Sequence, residues 1–426
     1  MNGQVSDLLQ AGPMVGYADY REALIWVQTT ESAKVQIAFW NDEEERRITE
    51  SVITEEEDAF VAKLFPSKLT YGKEYKYELL INGKVVIRPY ELSFQALEYW
   101  QYRSDPPEIQ FALGSCYYNN EPKDDRPGSP YGAEFGIFDN ILAKQPDFMM
   151  WLGDNTYLRT PDLYSRDGIL HRYTRDRSNA QLQALLGSVH NYAIWDDHDY
   201  GPNDSDRTYE LKNQTEEIFN LFWGNPNTNQ TGTGGITGKF HWGDLDFFLL
   251  DNRYHRDANR MKSDDKELLG RAQIDWLINS MVSSRAPFKF VCIGGQTVSS
   301  AAVYENYANY TKERDYLLQR LEEEKIEGVI FLSGDRHHSE ISKMDRQDAY
   351  PLHDFTCSPL TSGTHKYRDE GNKYAIEGFT YNEKNFGFIE VVGPRKKRKL
   401  VYTLYDNLGN QIYQYNLKAA DLRYPD

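Results

Sequence analysis

Apolar residues follow two different rhythms along this chain. Between residues 12 and 100 they fall in short runs, ALIWVQT, KVQIAFW, FVAKLF, YKYELLI and KVVIRPYELSF, separated by Gly, Asn, Asp and Ser. Runs so rich in Val, Ile, Tyr, Phe and Trp read as strands. Asn82-Gly83, between two of them, is a hairpin signal. Strands at this spacing with no helical period between them predict a small β-sandwich. The stretch RSDPPE (103–108) reads as a linker, dividing the chain into residues 1–104 and 105–426.

From Ile109 the rhythm changes. The stretches 133–144, 269–282 and 314–326 carry apolar residues three and four apart, the period of a helix with one buried face. Each precedes an apolar run: FMMWL (148–152), FKFVCI (288–293) and GVIFL (328–332). Helices alternating with wholly apolar strands predict an α/β region whose sheets are covered by helices. FHWGDLDFFLL reads as one further strand. At the end of the chain FGFIEVV, KLVYTLYD and QIYQYNL read as a β-meander. No internal repeat is present.

Composition narrows the function classes. A 426-residue chain exceeds the size at which one hydrophobic core stops growing, which agrees with two domains. The net charge of −17 argues against a nucleic-acid-binding surface and against docking on anionic membrane. No apolar run approaches the roughly 18 residues of a membrane span. The start has neither a basic n-region nor an apolar h-region. Cys116, Cys292 and Cys357 cannot form a disulfide framework.

The chemistry gathers where apolar strands end. FALGSC ends in Cys116, FMMWLGDNTY in Asp154 and Tyr157, and YAIWDDHDYGPND in Asp196, Asp197, His198, Asp199 and Asn203. FFLLDNRYHR ends in Asp251, Arg253 and Arg256, FVCIGGQT in Gly294 and Gly295, and GVIFLSGDRHHSE in Asp335, Arg336, His337, His338 and Glu340. Ligands of α/β sheets bind outside the carboxyl ends of the strands. Each Asp or Gly taken singly is an ordinary turn residue. Together they predict a crevice of carboxylates, imidazoles, a thiol and a phenol, which repel one another unless a cation sits among them. A metal cluster is the economical reading.

GSC, GDNTY, WDDHDYGPND, LLDNRYHR and LSGDRHH, in this order, resemble the alkaline phosphatase D (PhoD-like) family of calcineurin-like metallophosphoesterases, related to purple acid phosphatases. The resemblance covers almost the whole chain, since this family usually carries an immunoglobulin- or fibronectin-like module before its catalytic domain. It implies an α/β fold, a four-layer αββα sandwich preceded by that module. It also implies that Cys116, Asp154 and Tyr157 hold Fe(III), that Asp154 bridges to one or two Ca(II) or other divalent ions drawing on Asp197 and Asn203, and that Asp335 and His337 add ligands. Ligand softness agrees: thiolate and phenolate suit a trivalent transition ion, carboxylate and amide oxygen a hard divalent one. Asp196 remains an alternative to Asp197, with an outer supporting role if it is not the ligand.

The implied reaction is hydrolysis of a small phosphorylated substrate, most directly a monoester at alkaline pH, by a metal-activated water attacking phosphorus in line. Arg253 is expected to clamp a phosphoryl oxygen and His198 to assist the leaving oxygen. A phosphodiesterase or phospholipase D-type activity uses the same ligands, and a non-catalytic phospho-ligand binder is the alternative from another class. Family habit places the protein in the periplasm or outside the cell. GTGGITGKF lacks the residues of a P-loop at Thr233 and Phe240 and reads as a surface loop. The basic run 395–399 reads as a solvated hairpin turn. Cys292 and Cys357 read as core thiols, and His171, His190, His353 and His365 as structural or surface residues.

Overall fold

The computed structural model describes residues 7–364 and 369–425; His365 lies outside them. Strands with no polar face must be covered on both sides, and FMMWL, FVCI and VIFL are buried at every position. They lie inside two large sheets. The first has six strands in the order His190–Ile194, Phe148–Leu152, Ile109–Gly114, Asn385–Val392, Lys399–Asp406, Gln411–Lys418. Its first three strands are parallel, and the expected meander is added antiparallel to them. The second has seven strands in the order Gly238–Trp242, Leu245–Leu249, Lys289–Ile293, Val329–Ser333, Ala349–Thr356, Ser339–Arg346, Ala375–Tyr381.

Aromatic rings join the two sheets face to face. Phe111 stacks on Phe148 at 4.7 Å, and both meet Phe247 edge-on at 5.3 Å. Tyr192 stacks on Phe240 at 3.7 Å, and Phe247 on Phe290 at 4.9 Å. Offset and edge-to-face pairs of this kind add to the burial energy itself. Helices cover the outer faces: Phe138 of Ile137–Ala143 meets Trp151, and Trp276 of Arg271–Val282 meets Phe248. Ile274, Leu277, Ile278 and Met281 form the buried stripe of the second helix, at the predicted spacing. The order is therefore helix, sheet, sheet, helix.

The N-terminal stretch forms two smaller sheets. One pairs Leu9–Ala18, Ala23–Thr29 and Val61–Leu64; the other is built on Lys34–Trp40 and Glu74–Ile81. Ile25, Val27, Val35, Ile37, Leu79 and Phe94 share the core between them. Asn82 and Gly83 both take left-handed backbone (φ 50° and 76°), and Ile81 pairs with Lys84 across the two-residue turn. The other face of the first small sheet does not reach water. Leu24 and Trp26 belong to the core of the large sheets, and Trp26 Nε1 donates to the Leu221 carbonyl at 3.0 Å. That second covered face explains why ALIWVQT is buried at every position.

Some predicted strands are broken. KVVIRPYELSF yields only Lys84–Val86 and Ser93–Gln95, both paired with Glu74–Ile81; Pro89, without a donor, sits in the gap. FHWGDLDFFLL is a hairpin, with Trp242 paired to Leu245 and Gly243 at φ 58° in the turn. The strand Leu9–Ala18 was not legible, because Gly12, Pro13 and Gly16 interrupt its apolar rhythm. Helices also shift: the predicted 314–326 is Thr311–Glu323 and 133–144 shortens to Ile137–Ala143.

Because Trp26 is an N-terminal residue inside the main core, Trp26→Ala is expected to destabilise the α/β region by about 3–5 kcal/mol. Urea unfolding followed by far-UV circular dichroism measures it; a loss confined to a minor early transition contradicts the shared core.

Candidate metal centre

Parallel pairing sets the position of the centre. Gly114 is level with Trp151, and Leu152 with Ile194, so Ser115-Cys116, Gly153-Asp154 and Trp195-Asp196-Asp197 leave the first sheet side by side. In the second sheet Leu249 is level with Cys292 and Ile293 with Ser333, so Asp251-Asn252-Arg253, Gly294 and Gly334-Asp335 leave at one end. The sheet ends touch at Gly334, where a Cβ would stand 2.6 Å from Ser115 Cβ and 2.7 Å from the Leu152 carbonyl oxygen. Only glycine permits that approach.

Beyond the strands the backbone turns left-handed at the candidate ligands themselves: Cys116 (φ 60°), Asp154 (52°), Asp335 (66°) and His337 (54°). Each such non-glycine residue costs on the order of 1–3 kcal/mol and persists only where its surroundings hold it. Here they do. Cys116 N–H donates to the Gly153 carbonyl at 3.1 Å, Tyr117 N–H to the Asp154 carbonyl at 2.8 Å, and His337 N–H to Ser358 Oγ at 3.0 Å.

Two donor groups share one carboxylate. Cys116 Sγ lies 3.5 Å from Asp154 Oδ2, Tyr157 donates to the same oxygen at 3.1 Å, and Tyr157 Oη lies 3.4 Å from His337 Nε2. His337 Nδ1 lies 2.6 Å from the Gly363 carbonyl, which can only accept, so Nδ1 carries the proton and Nε2 offers its lone pair. Ligand atoms of Cys116, Asp154 and His337 all lie within 4.8 Å of one another, and so do those of Asp154, Asp197 and His198. His198 stacks on Tyr157 at 4.3 Å and keeps its side chain 23% exposed. Asp335 follows Gly334 into the same region, and its Oδ2 is buried with no hydrogen-bond donor. The nearest cation, Arg336 Nη1, is 3.5 Å from it. Asp335 joins none of the donor groups, but a buried carboxylate oxygen without a hydrogen-bond donor, two residues before His337, fits a cation.

The third group contains residues that sequence reasoning missed. Carboxylate oxygens of Asp197, Asp204 and Glu305 lie within 4.8 Å of one another. Asp204 N–H donates to Asp197 Oδ2 at 2.8 Å, and Asp204 and the predicted Asn203 are both exposed. The signal for Asp204 was its place as the one acid of GPND, next to Asn203; Glu305 sits in an irregular loop with no strand-end signal. Asp196 and Asp197 diverge. Asp196 caps the short helix Asp197–Tyr200 and accepts from Asn252 Nδ2 at 2.8 Å and Arg253 Nε at 2.6 Å, while Asp197 belongs to both carboxylate groups.

Arg253, expected as a phosphate clamp, faces carboxylates in this structure. It is wholly buried, and every guanidinium nitrogen is engaged. Nε binds Asp196, Nη1 binds Glu305 Oε1 at 2.8 Å and Nη2 binds Glu305 Oε2 at 2.7 Å. The bidentate pair fixes Glu305 and stands 3.7 Å from Asp197. Arg253 is thus a keystone among acids.

Burial and mutual repulsion dominate the electrostatics of these acids. Burial, then Asp197 and Cys116, raise the Asp154 carboxyl well above the ordinary range. Burial pushes Asp335 from 3.8 to about 7, partly offset by Arg336. Burial pushes the Cys116 thiol up to about 12 and lowers His337, keeping its imidazole neutral. Against burial, His198 and Arg253 hold Asp197 down at about 2.

Other features are less suggestive. Glu121, Asp124 and His171 also cluster, but Arg172 and Arg175 already neutralise Glu121 at 2.8 and 3.0 Å. A cavity of about 1030 Å³ lies at the opposite, amino end of the strands, lined by Gly243, Lys289, Gly328 and Arg395. The chemistry is not there. Gly234 and Gly235 of the GTGGITGKF loop take left-handed backbone, and Ile236 N–H donates to Asp251 Oδ2 at 3.0 Å.

Comparison with known proteins follows the same division. The model of the PhoD-like phosphatase family matches residues 111–392, and that of a domain of unknown function matches residues 6–99. Alkaline phosphatase D of Bacillus subtilis (strain 168) is 23% identical over an alignment 287 positions long that covers 56% of this chain and 47% of that protein. The chain thus aligns with about half the length of that relative. Among solved structures, PhoD superposes with a TM-score of 0.76 at 16% identity, covering 97% of this chain and 94% of that one. A purple acid phosphatase from yellow lupin (Lupinus luteus) seeds gives 0.70 at 12% identity, covering 96% and 75%. At these identities the structures establish a shared fold.

Cations and protons compete for these groups. In the cation-free fold, the stability supplied by neutral Asp335 is present below 3.8 and is lost as pH rises through about 7. Bound cations remove that loss, so the rise in Tm on adding metal is expected to grow with pH across this window. Differential scanning fluorimetry of stripped and loaded protein checks it; a rise independent of pH contradicts the ligand set.

Proposed function

Because this chain belongs to the PhoD-like phosphatase family, we propose that it is a metal-dependent hydrolase of phosphate esters, with Asp154 at its centre. The observation that carries the reading is the sharing of Asp154 between a soft donor group, Cys116 and His337 with Tyr157, and an oxygen-rich one formed with Asp197. The soft side suits Fe(III) and the oxygen side one or two Ca(II) or other divalent ions, to which Asp204 would contribute and, as the family resemblance implies, Asn203 as well. Asp335 adds an oxygen that accepts no hydrogen bond and lies 3.5 Å from Arg336. Such ions, when bound, polarise a phosphoryl group and lower the pKa of water.

The remaining tasks belong to the chain. Burial lowers the His198 pKa while Asp197 raises it, and in its protonated form this partly open imidazole would donate a proton to the leaving oxygen. Arg253 holds Asp196, Asp197 and Glu305 in register. We take a monoester as the preferred substrate. A periplasmic or secreted location is part of the same proposal; no helix of the described residues is long and apolar enough to cross a membrane. We also read residues 1–104 as a β-sandwich module buttressing the catalytic sheets, a division supported by the two family models, which meet between residues 99 and 111.

The metal-loaded protein is expected to turn over 4-nitrophenyl phosphate faster than its bis-ester, and a chelator to abolish both activities. Full metal content without turnover of either overturns the proposal. Loaded with Fe(III), the protein is expected to show visible charge-transfer absorption that Tyr157→Phe weakens or shifts. A colourless, iron-free, active enzyme refutes the iron assignment. Arg253→Lys keeps the charge but loses the fork, so activity is expected to fall about 10–100-fold with the visible band retained. Loss confined to KM, tested by steady-state kinetics, instead supports direct contact with substrate.

A further inference from the structure

Aromatic rings run along one side of the centre. Tyr131 packs edge-on against Tyr118 at 4.8 Å, Tyr118 leans on Tyr157 at 4.9 Å, and Tyr157 carries His198 at 4.3 Å. The inner rings have evident duties: Tyr157 reaches Asp154, and Tyr118 donates to Asp125 and lies under the Arg159 guanidinium. Tyr131 is different. Its hydroxyl lies 3.2 Å from His337 Nδ1, and a Cβ on Gly363 would come within 2.5 Å of its ring, yet the residue remains 38% exposed.

Arg336, the residue before His337, carries a second ring. Its guanidinium carbon lies 4.6 Å from the centre of the Tyr304 ring. Tyr304 is 71% exposed and takes left-handed backbone at φ 47°. A bulky side chain in that conformation is a genuine outlier, and such strain gathers at functional sites. Two exposed tyrosines therefore stand beside consecutive residues of the loop that supplies Asp335 and His337. Packing does not account for their exposure. Ring faces left to water offer a flat group 0.5–1.5 kcal/mol of stacking per contact, roughly a two- to tenfold preference.

We propose that Tyr131 and Tyr304 determine substrate specificity by gripping the alcohol side of the ester, and that the preferred substrates carry a planar aromatic substituent next to the phosphoryl group. This rests on the phosphoesterase reading and deepens it: the ions and His198 act on any phosphoryl group, whereas the two rings act on what is attached to it.

The test separates binding from leaving-group chemistry. Phenylphosphonate and methylphosphonate present the same anionic head to the metal-loaded protein and are not hydrolysed. Their Kd ratio, measured by calorimetric titration, reads the rings alone. The wild type is expected to favour phenylphosphonate. Tyr304→Leu and Tyr131→Leu are each expected to reduce that preference about two- to tenfold, while Tyr131→Phe, which keeps the ring, preserves it. An unchanged ratio in both leucine variants overturns the proposal, as does an equal loss for both phosphonates, which assigns the rings to support of the centre. Tyr304→Trp, which enlarges the face, is expected to hold or widen the preference. A loaded protein that hydrolyses no phosphoester overturns the parent reading, and the binding ratio still decides this one.

Discussion

Asp154 and Asp197 lie so close together, and so far from water, that both cannot be ionised without a positive charge among them. Much of the fold follows from that constraint. The residues that share it come from four separate strand ends, and no local structure would bring them together. Two sheets packed through aromatic rings do so, and the shared carboxyl end is where they meet. The same constraint explains Arg253 and Glu305. A wholly buried guanidinium gripped by two carboxylates has no free donor for a substrate, but it keeps the neighbouring acids apart and in place.

What the sequence discloses is what is local in the chain. An apolar run followed by GD, DD or GDRH says that a strand ends in acids, so Asp154, Asp197, Asp335 and His337 were legible, as were the parallel strands that carry them. What depends on distant partners was hidden. Arg253 follows a strand in the manner of a ligand-binding residue, and only the fold shows Glu305 and Asp196 occupying it. Glu305 comes from a loop of no regular rhythm. The strand Leu9–Ala18 is masked by its glycines and proline, and the hairpin inside FHWGDLDFFLL by the apolar residues flanking Gly243.

The N-terminal sheets belong to the same economy of burial. Trp26 and Leu24 face one way into the core of the large sheets, while Ile25 and Val27 face the other way into a core of their own. A strand covered on both sides is how one sheet serves two cores at once. Contact between the units is therefore hydrophobic as well as polar, and Tyr192 Oη and His190 Nδ1 reach the backbone of the first strand to complete it.

The left-handed turns at Cys116, Asp154, Asp335 and His337 bear on how the centre treats different ions. A ligand at the tip of a relaxed loop can follow whatever enters. Residues fixed in a crowded backbone region, and tied across strands by amide hydrogen bonds, cannot move inward for a small ion or outward for a large one. Their spacing is settled when the chain folds. Under the proposed metal-dependent reading, such a cage would discriminate by ionic radius and coordination number, the choice among chemically similar cations being made by geometry in advance of binding.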